Sequence, residues 1–448
     1  MKLKRFKENT KKKIIVISFT VLCLLLIAGV YLYTSYAFYE ETKNFNVING
    51  TVEDPGDLYF AYYVDGKISR TMPSKNIGYT LDTTKSSCDN GVTVDWDYSK
   101  WKANIYYENY AATDNTRTKC TLYFNKTAKT VKTALGNIEV NSYKPDLTKS
   151  ACDTSNCESH EKGIFETTDA DGTSYYYRGA VENNYLKFAG YYWRVVRING
   201  NGSVRIIYDG TSAHGNGESS TDRQYGTSQF NTNYNNNMYV GYMYTSGEAH
   251  GTGTSSVIKT NADKFYTDKL ASYASKLDTN AGFCGDRSNL NQQSGVGTGT
   301  VITYNKGYLR VEESAPTLTC ENASDYYTVA SASSGNKKLS YPIGLITADE
   351  VMLAGHAGGV FDGGFNHQKT NNGSYLVTGN LFWTMTPAGG YNPFGGTYWY
   401  AYVFVVDGSG LIDDNDANHS IGLRPVVNLK SGVTITGSGT KTDPYVVS

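Results

Sequence analysis

The run Tyr191-Tyr-Trp-Arg-Val-Val-Arg-Ile198, the turn Asn199-Gly-Asn-Gly202 and the run Ser203-Val-Arg-Ile-Ile-Tyr208 decide the fold of most of this chain. Two β-prone runs are joined by a glycine-rich turn, which is the pattern of a β-hairpin. Because successive side chains of a strand point to different faces, Trp193 and Arg194 are predicted to lie on different faces of the hairpin. One face of the hairpin is therefore predicted to join a core.

The same signal returns near the end of the chain. Tyr398-Trp-Tyr-Ala-Tyr-Val-Phe-Val-Val406, the turn Asp407-Gly-Ser-Gly410 and Leu411-Ile412 form a second predicted hairpin. Residues 422–429 and 443–447 are rich in Val and supply two further predicted strands.

Two helices are predicted between these hairpins. Residues 261–277 repeat apolar side chains at helical spacing, so one face should pack on a sheet. Thr347-Ala-Asp-Glu350 matches a capping box, in which Thr347 caps the helix and Glu350 reaches back, and Gly355 ends the helix. Antiparallel strands with two helices predict an α+β fold for residues 161–448.

A smaller module precedes this domain. Leu58-Tyr-Phe-Ala-Tyr-Tyr-Val64 runs into Asp65-Gly66, and Asp-Gly between β-prone runs is a hairpin signal. Residues 55–126 are therefore predicted to form a small all-β module. Residues 127–160 are polar and lysine-rich, which is typical of a linker.

The N-terminus has the pattern of an export and anchoring segment. Seven Lys or Arg and one acid fall in residues 1–13, and the next twenty residues carry no charge. At about 1.5 Å per residue such a helix spans about 30 Å, the thickness of a bilayer core. We expect a cytoplasmic tail (1–13), a transmembrane signal-anchor (14–35), a stalk (36–54) and an extracellular C-terminus.

This segment also leaves a second outcome open. Ser35-Tyr36-Ala37 is a plausible cleavage site, so the chain could be cut after Ala37 and secreted. The residues that follow resemble the export signals of camelysin and of the biofilm-fibre proteins of Gram-positive bacteria.

Six of the seven cysteines follow the apolar segment, which suits an oxidising compartment. Their distribution predicts three local bridges, namely Cys88–Cys120, Cys152–Cys157 and Cys284–Cys320. Metal binding is the rival interpretation, but the sequence has neither a Cys-x-x-Cys pair nor His at ligand spacing.

Charge argues against nucleic acid as a partner. The chain has 41 basic and 42 acidic residues, and the N-terminal tail takes seven of the basic ones. The remainder is therefore mildly acidic, without the basic stripe that phosphate contacts require. The 39 Tyr and 46 Gly suit a β-rich binding surface, although an AT-rich genome would also enrich Tyr and Asn.

Four stretches carry a family resemblance: Phe188-Ala-Gly-Tyr-Tyr-Trp-Arg-Val-Val-Arg-Ile198, Leu345-Ile-Thr-Ala-Asp-Glu350, Leu381-Phe-Trp-Thr-Met-Thr-Pro387 and Ile421-Gly-Leu-Arg-Pro-Val-Val-Asn-Leu429. Together they resemble the C-type lectin-like fold, in the branch of the formylglycine-generating enzyme and the variable proteins of diversity-generating retroelements. They also resemble uncharacterised gut Firmicutes surface proteins that end, as here, in Gly-Thr-Lys-Thr-Asp-Pro-Tyr. The resemblance covers about residues 161–448.

In that branch, ligand contacts come from the loops before and between the closing strands. The resemblance therefore implies six candidate ligand-binding residues, which are Tyr391, Asn392, Phe394, Tyr398, Trp399 and Tyr400. Exposed aromatics flanked by glycine can stack on sugar rings or fill a partner's pocket. The alternative is that the alternation along residues 398–402 places one set of these rings in the core.

Calcium is considered because many lectins of this fold use it. Asp414, Asp416 and Asn418 occupy the first alternate positions of an EF-hand-like loop. His419 stands where that loop requires glycine, and Pro425 where it requires the bidentate Glu. These three residues are thus weak calcium candidates, and a solvated turn is the alternative. No other cofactor is expected.

The sequence does not favour an enzyme. The formylglycine-generating enzyme needs a reactive cysteine pair late in its domain, and no cysteine follows Cys320. Asp349 and Glu350 are explained by the start of a helix, and no His lies in a triad motif. The leading hypothesis is a bacterial cell-surface binding or adhesion protein for a glycan or protein ligand. The alternatives are a structural subunit of a surface fibre or coat, and an extracellular hydrolase.

Overall fold

The chain divides into two compact units, Met1–Lys126 and Thr127–Ser448. The computed structural model describes the following residues: 58–73, 79–97, 100–107, 117–126, 129–130, 135, 139–148, 150–151, 162–235, 239–290, 303–330, 335–356, 374–391 and 400–448. Each unit has a hydrophobic core of its own.

The first unit is built from strands. They are β1 (Leu58–Val64), β2 (Lys67–Ser69), β3 (Tyr79–Leu81), β4 (Ser87–Cys88), β5 (Thr93–Asp97), β6 (Lys102–Tyr106) and β7 (Thr118–Lys126). The main sheet has the order β2-β1-β7-β3, with β4 also on β7, and β5 and β6 form a separate hairpin. Strand β1 runs parallel to β7, whereas β2 and β3 run antiparallel to their neighbours.

Local sequence explains the first hairpin. Asp65 and Gly66 have φ values of 49° and 77°, which is the left-handed conformation that a two-residue hairpin turn requires. Strands β1 and β2 pair antiparallel on either side of this turn, so the predicted hairpin is confirmed. The core of the unit contains Trp96, which meets Phe124 edge to face at a centroid distance of 5.0 Å.

The second unit holds the remaining strands. They are β8 (Lys129–Thr130), β9 (Gly163–Asp169), β10 (Gly172–Arg178), β11 (Tyr185–Phe188), β12 (Tyr191–Ile198), β13 (Val204–Tyr208), β14 (Thr227–Ser228), β15 (Met243–Tyr244), β16 (Thr254–Ser255), β17 (Phe283–Cys284), β18 (Thr303–Tyr304), β19 (Tyr326–Tyr327), β20 (Phe382–Tyr391), β21 (Tyr400–Val406), β22 (Ile412–Asp416), β23 (Ile421–Gly422), β24 (Val426–Leu429), β25 (Thr434–Thr436) and β26 (Tyr445–Val447).

Two larger sheets organise these strands. One has the order β24-β13-β12-β11-β26-β25-β8, with β10 on β12 and β9 on β10. The other has the order β14-β23-β20-β21-β22, with β18 on β20. A single large cluster of buried residues from both sheets and the helices forms the core of this unit.

The hairpin of β12 and β13 is confirmed, but both of its faces are buried. The two strands pair from Trp193 opposite Tyr208 to Ile198 opposite Val204. Trp193 and Arg194 are both 0% exposed. Alternating side chains give a strand a solvated face only where no other part of the protein covers that face. Here other parts of the chain cover the second face and supply hydrogen-bond partners for its arginines.

Helices in the described residues are short. The α-helices are α1 (Val257–Phe265), α2 (Lys306–Glu312) and α3 (Ala348–Leu353). A π-helical turn (Tyr266–Leu270) and a 3-10 segment (Ala271–Lys276) continue α1. Helix α1 is capped by Ser256 and begins at Val257, four residues before the predicted start. Helix α3 has the predicted capping box, whereas α2 was not predicted.

The predicted α+β class is wrong. Strands take up 38% of the structure and helices 13%. The described residues contain three α-helices. The helical pattern of residues 261–277 leads to regular α-helix only as far as Phe265, because the backbone then widens into the π-turn and tightens into the 3-10 segment. The second unit is thus predominantly β.

The predicted localisation is also corrected. Within the described residues, which begin at Leu58, no helix is long and apolar enough to cross a bilayer. The predicted tail, span and stalk (1–13, 14–35 and 36–54) and the cleavage site at Ala37 lie outside the described residues. The structure therefore does not support the predicted single-pass membrane protein with an N-terminal transmembrane helix.

Two predicted disulfides are confirmed. Cys88 is bonded to Cys120 between paired residues of β4 and β7, and Cys284 of β17 is bonded to Cys320. The third predicted bridge, Cys152–Cys157, lies outside the described residues.

Candidate functional site

Three antiparallel strands of the second sheet, β20, β21 and β22, carry the candidate site. The turn between β21 and β22 is held by Asp407, whose Oδ1 accepts N–H bonds from Ser409 and Leu411, both at 2.8 Å. In the register that results, Tyr402 is opposite Asp416 and Phe404 is opposite Asp414. Directly opposed residues share a face, so two acids and two aromatics lie together.

Tyrosines surround these acids. Tyr400 is half-buried and stacks on Tyr234 with centroids 5.9 Å apart, and it meets Tyr402 at 6.2 Å. On the other side, Tyr304 packs against Tyr308 at 4.4 Å. We name the set Tyr304, Tyr400, Tyr402, Asp414 and Asp416 the acid–tyrosine strip.

Asp414 is the electrostatically unusual member of the strip. Its side chain is 9% exposed, and within the described part of the chain no hydrogen bond or ion pair reaches its carboxyl group. Burial raises the pKa of Asp414 to about 8, and the nearby charges of Asp413 and Asp416 raise it further in the same direction.

Asp416, unlike Asp414, has partners for its carboxylate. Its carboxylate accepts a hydrogen bond from Tyr402, and His419 lies 3.9 Å from its Oδ2. Burial still raises the pKa of Asp416, against the opposing effects of Tyr402 and His419. Its Oδ1, like the Oδ1 of Asn418, is enclosed and has no hydrogen-bond donor in the described structure. Acceptor oxygens of this kind are rare in native proteins and mark a place where a donor is missing.

The predicted ligand-binding residues fall into two groups. Tyr391 ends β20 directly opposite Tyr400 at the start of β21. Tyr400 belongs to the strip described above. The other four, Asn392, Phe394, Tyr398 and Trp399, lie outside the described residues.

The described residues do not fit a metal centre. They contain no group of three or more His, Cys, Asp or Glu side chains that could hold a metal ion. Asp414 and Asp416 share one face of a strand, and alternate residues of a strand are about 6–7 Å apart. The predicted calcium ligands Asp414, Asp416 and Asn418 therefore stay a weak prediction.

The acids considered for hydrolysis are engaged elsewhere. Glu350 accepts the Thr347 N–H at 3.0 Å and pairs with Arg197 at 2.8 Å and Arg205 at 2.6 Å. Asp349 accepts the Thr317 N–H at 3.0 Å and pairs with Arg310. Because these contacts saturate both carboxylates, neither offers the free acid or base that paired-carboxylate hydrolysis requires.

The electrostatics agree with this structural role. Burial by itself would raise the pKa of Glu350, but the guanidinium groups of Arg205 and Arg197 outweigh burial and lower it. Arg197 also pairs with Asp169 at 2.9 Å. The sequence showed these arginines inside the hairpin, but nothing in it assigned them to Glu350.

A second buried cluster explains the Gly422-Leu-Arg-Pro stretch. Arg424 is 0% exposed and donates to Asp209 at 3.0 Å and to the carbonyls of Tyr208 and Leu376. Arg223 donates to the same carboxylate at 2.8 Å. These contacts connect the C-terminal end of β13 to the segment that leads into β24. The Gly422-Leu-Arg-Pro stretch therefore has a role in holding the fold together.

His356 and Ser374 form a pair that resembles a catalytic dyad only in distance. The His356 Nε2 lies 3.0 Å from the Ser374 Oγ, and its Nδ1 lies 2.5 Å from the Gly410 carbonyl. Both side chains are 0% exposed, and burial lowers the pKa of His356 to about 4. The pair ties the β21–β22 turn to the chain on both sides of residues 357–373. His367 lies outside the described residues.

No family model matches the chain, and none of the curated proteins or solved structures matches it either. The resemblance to C-type lectin-like domains therefore stays a prediction.

Proposed function

We propose that this chain is a binding protein, with an adhesive or recognition role, and that the acid–tyrosine strip is its ligand-binding surface. The observation that carries the proposal is a nearly buried carboxyl group, Asp414, among half-buried tyrosines that pack against one another. Close to it in the chain, the Asp416 Oδ1 and the Asn418 Oδ1 are enclosed without a donor in the described structure, and an unsatisfied buried polar group costs about 1–3 kcal/mol unless a ligand supplies the donor.

The chemistry of the strip favours a glycan over a flat protein epitope. Tyrosine faces such as those of Tyr400 and Tyr234 stack on sugar rings and lose little side-chain entropy. Carboxyl oxygens accept hydrogen bonds from sugar hydroxyls. The two confirmed disulfides suit a protein that works in an oxidising compartment, where free glycans are met.

A glycan array probed with the full chain tests the proposal. We expect binding to a restricted set of glycans, and Tyr400→Ala should weaken it at least tenfold because the stacking surface is lost. Tyr400→Phe should retain most of the affinity, since the ring stack on Tyr234 survives.

Tyr273→Ala is the matched control, because Tyr273 is an exposed tyrosine of the same unit, 39% accessible, that packs on Phe188 away from the strip. Equal losses for Tyr400→Ala and Tyr273→Ala would contradict the assignment of the surface. Absence of binding across a broad array would count against the function itself.

A further inference from the structure

We propose that the ligand of the acid–tyrosine strip carries an amino group, and that Asp414 is the residue that selects it, so that the preferred ligand is an amino sugar with a free amine. This inference rests on the proposed function. It adds the chemical class of the ligand and the residue that recognises it.

The charge balance of the strip is the first argument. Asp414 and Asp416 lie on one face, and Asp413 is their neighbour on the same strand. The only ion pair of Asp416 within the described residues is the long contact with His419, whose ring is on the surface, and Asp414 has none there. A cationic group entering the strip would therefore meet the Asp414 carboxyl group, which has no cation beside it in the described structure.

The tyrosine rings are the second argument. Tyr304 lies close enough to Asp414 for the two to interact electrostatically, and its ring packs against that of Tyr308 with centroids 4.4 Å apart. Aromatic faces attract ammonium groups, and the attraction grows when the cation is partly desolvated. A carboxylate among such rings suits an organic ammonium better than a hydrated metal ion, which requires several oxygen ligands.

Hydroxyl groups complete the match. Amino sugars present hydroxyls beside the amine, and these can donate to the strip while the sugar ring stacks on Tyr400. A lysine side chain carries the same ammonium group on an aliphatic stem without hydroxyls. The acceptors and rings of the strip therefore favour an amino sugar over a basic peptide.

Isothermal titration of the full chain with a β-1,4-linked glucosamine tetramer and with its fully N-acetylated counterpart tests the proposal. These ligands share rings and linkages and differ only in the free amines. We expect the free-amine tetramer to bind at least tenfold more tightly. Asp414→Asn should abolish that preference, whereas Asp413→Asn removes the same charge one residue away and should retain it.

The outcomes separate the two claims. Equal affinity for both tetramers would overturn the amino-sugar inference and leave the binding function standing. Binding of Nα-acetyl-lysine methylamide in preference to either tetramer would also overturn it, as would calcium binding without sugar that Asp414→Asn removes. Should Asp414→Asn fail to fold, the wild-type chain decides, because a carboxyl group that selects an amine requires the free-amine tetramer to bind more tightly than the acetylated one.

Discussion

At the scale of single residues, buried charges distinguish this protein. Glu350 lies between Arg197 and Arg205 with all three side chains at most 9% exposed. Arg424 and Arg223 share Asp209 in the same manner. Such pairs contribute little net stability when intact, because desolvation offsets the attraction, but removing one partner strands a buried charge.

Glu350→Gln should therefore lower the free energy of unfolding of the second unit by about 3–5 kcal/mol. The substitution keeps the shape of the side chain but leaves Arg197 and Arg205 without their shared carboxylate. Urea unfolding followed by tryptophan fluorescence measures the loss. Glu321→Gln is the control, because Glu321 is 53% exposed in its pair with Lys306 and should cost no more than about 1 kcal/mol.

Acid should weaken the Glu350 cluster in a defined direction. The pKa of Glu350 is lowered on folding, so its stabilising effect is present above the unfolded pKa and lost as the pH falls through the folded one.

For the two substitutions, a comparable loss in the free energy of unfolding for Glu321→Gln and Glu350→Gln would show that the buried Glu350 cluster stabilises the fold no more than a surface ion pair.

At the scale of secondary-structure elements, helix α3 positions this cluster. The Thr347 hydroxyl accepts a hydrogen bond from the Glu350 N–H at 3.1 Å, and the Glu350 carboxylate accepts one from the Thr347 N–H. The same side chain thus caps the helix and forms ion pairs with two arginines. The capping box could be predicted because its residues are close in the sequence. The ion pairs of Glu350 could not, because Arg197 and Arg205 lie far from it along the chain.

Thr347→Ala should destabilise the second unit by about 1 kcal/mol, because a side-chain cap is lost while the ion pairs remain. Thr347→Ser keeps a hydroxyl at the cap and should restore most of the difference. The midpoint of urea unfolding measures both variants. Equal midpoints for the Ala and Ser variants would show that the cap hydroxyl contributes nothing.

At the scale of the whole molecule, each confirmed disulfide lies within one unit. Cys88–Cys120 closes 32 residues in the first unit, and Cys284–Cys320 closes 36 in the second. Loops of this length correspond to a stabilisation of about 3–4 kcal/mol each when the unfolded chain is constrained.

Replacing Cys88 and Cys120 by Ala should therefore make the first unit the first to be cleaved in limited proteolysis, with cut sites mapped by mass spectrometry to residues 58–126. The matched double variant at Cys284 and Cys320 should move early cleavage to the second unit. Identical cleavage patterns for the two variants would contradict a local role for each bridge.

The sequence by itself determined the features that depend on near neighbours: the hairpin turn at Asp65-Gly66, the capping box at Thr347 and the two local disulfides. Such features need only the backbone preferences and contacts of residues close along the chain. Its α+β prediction failed, because the apolar periodicity of residues 261–277 does not show where regular α-helix gives way to a π-turn and a 3-10 segment. Its localisation is corrected because no helix of the described residues could cross a bilayer, and the predicted anchor lies outside those residues.

Only the tertiary structure decided what the buried charges do. Arg197 meets Glu350 across 153 residues of sequence, and Asp414 is left only 9% exposed once strand β22 has paired with β21 in the sheet. Desolvation is a property of the assembled core, so no local pattern reveals it. The acidic stretch 413–416 matches a solvated turn in the sequence, whereas in the fold Asp414 is nearly buried and the Asp416 Oδ1 is enclosed without a donor in the described structure.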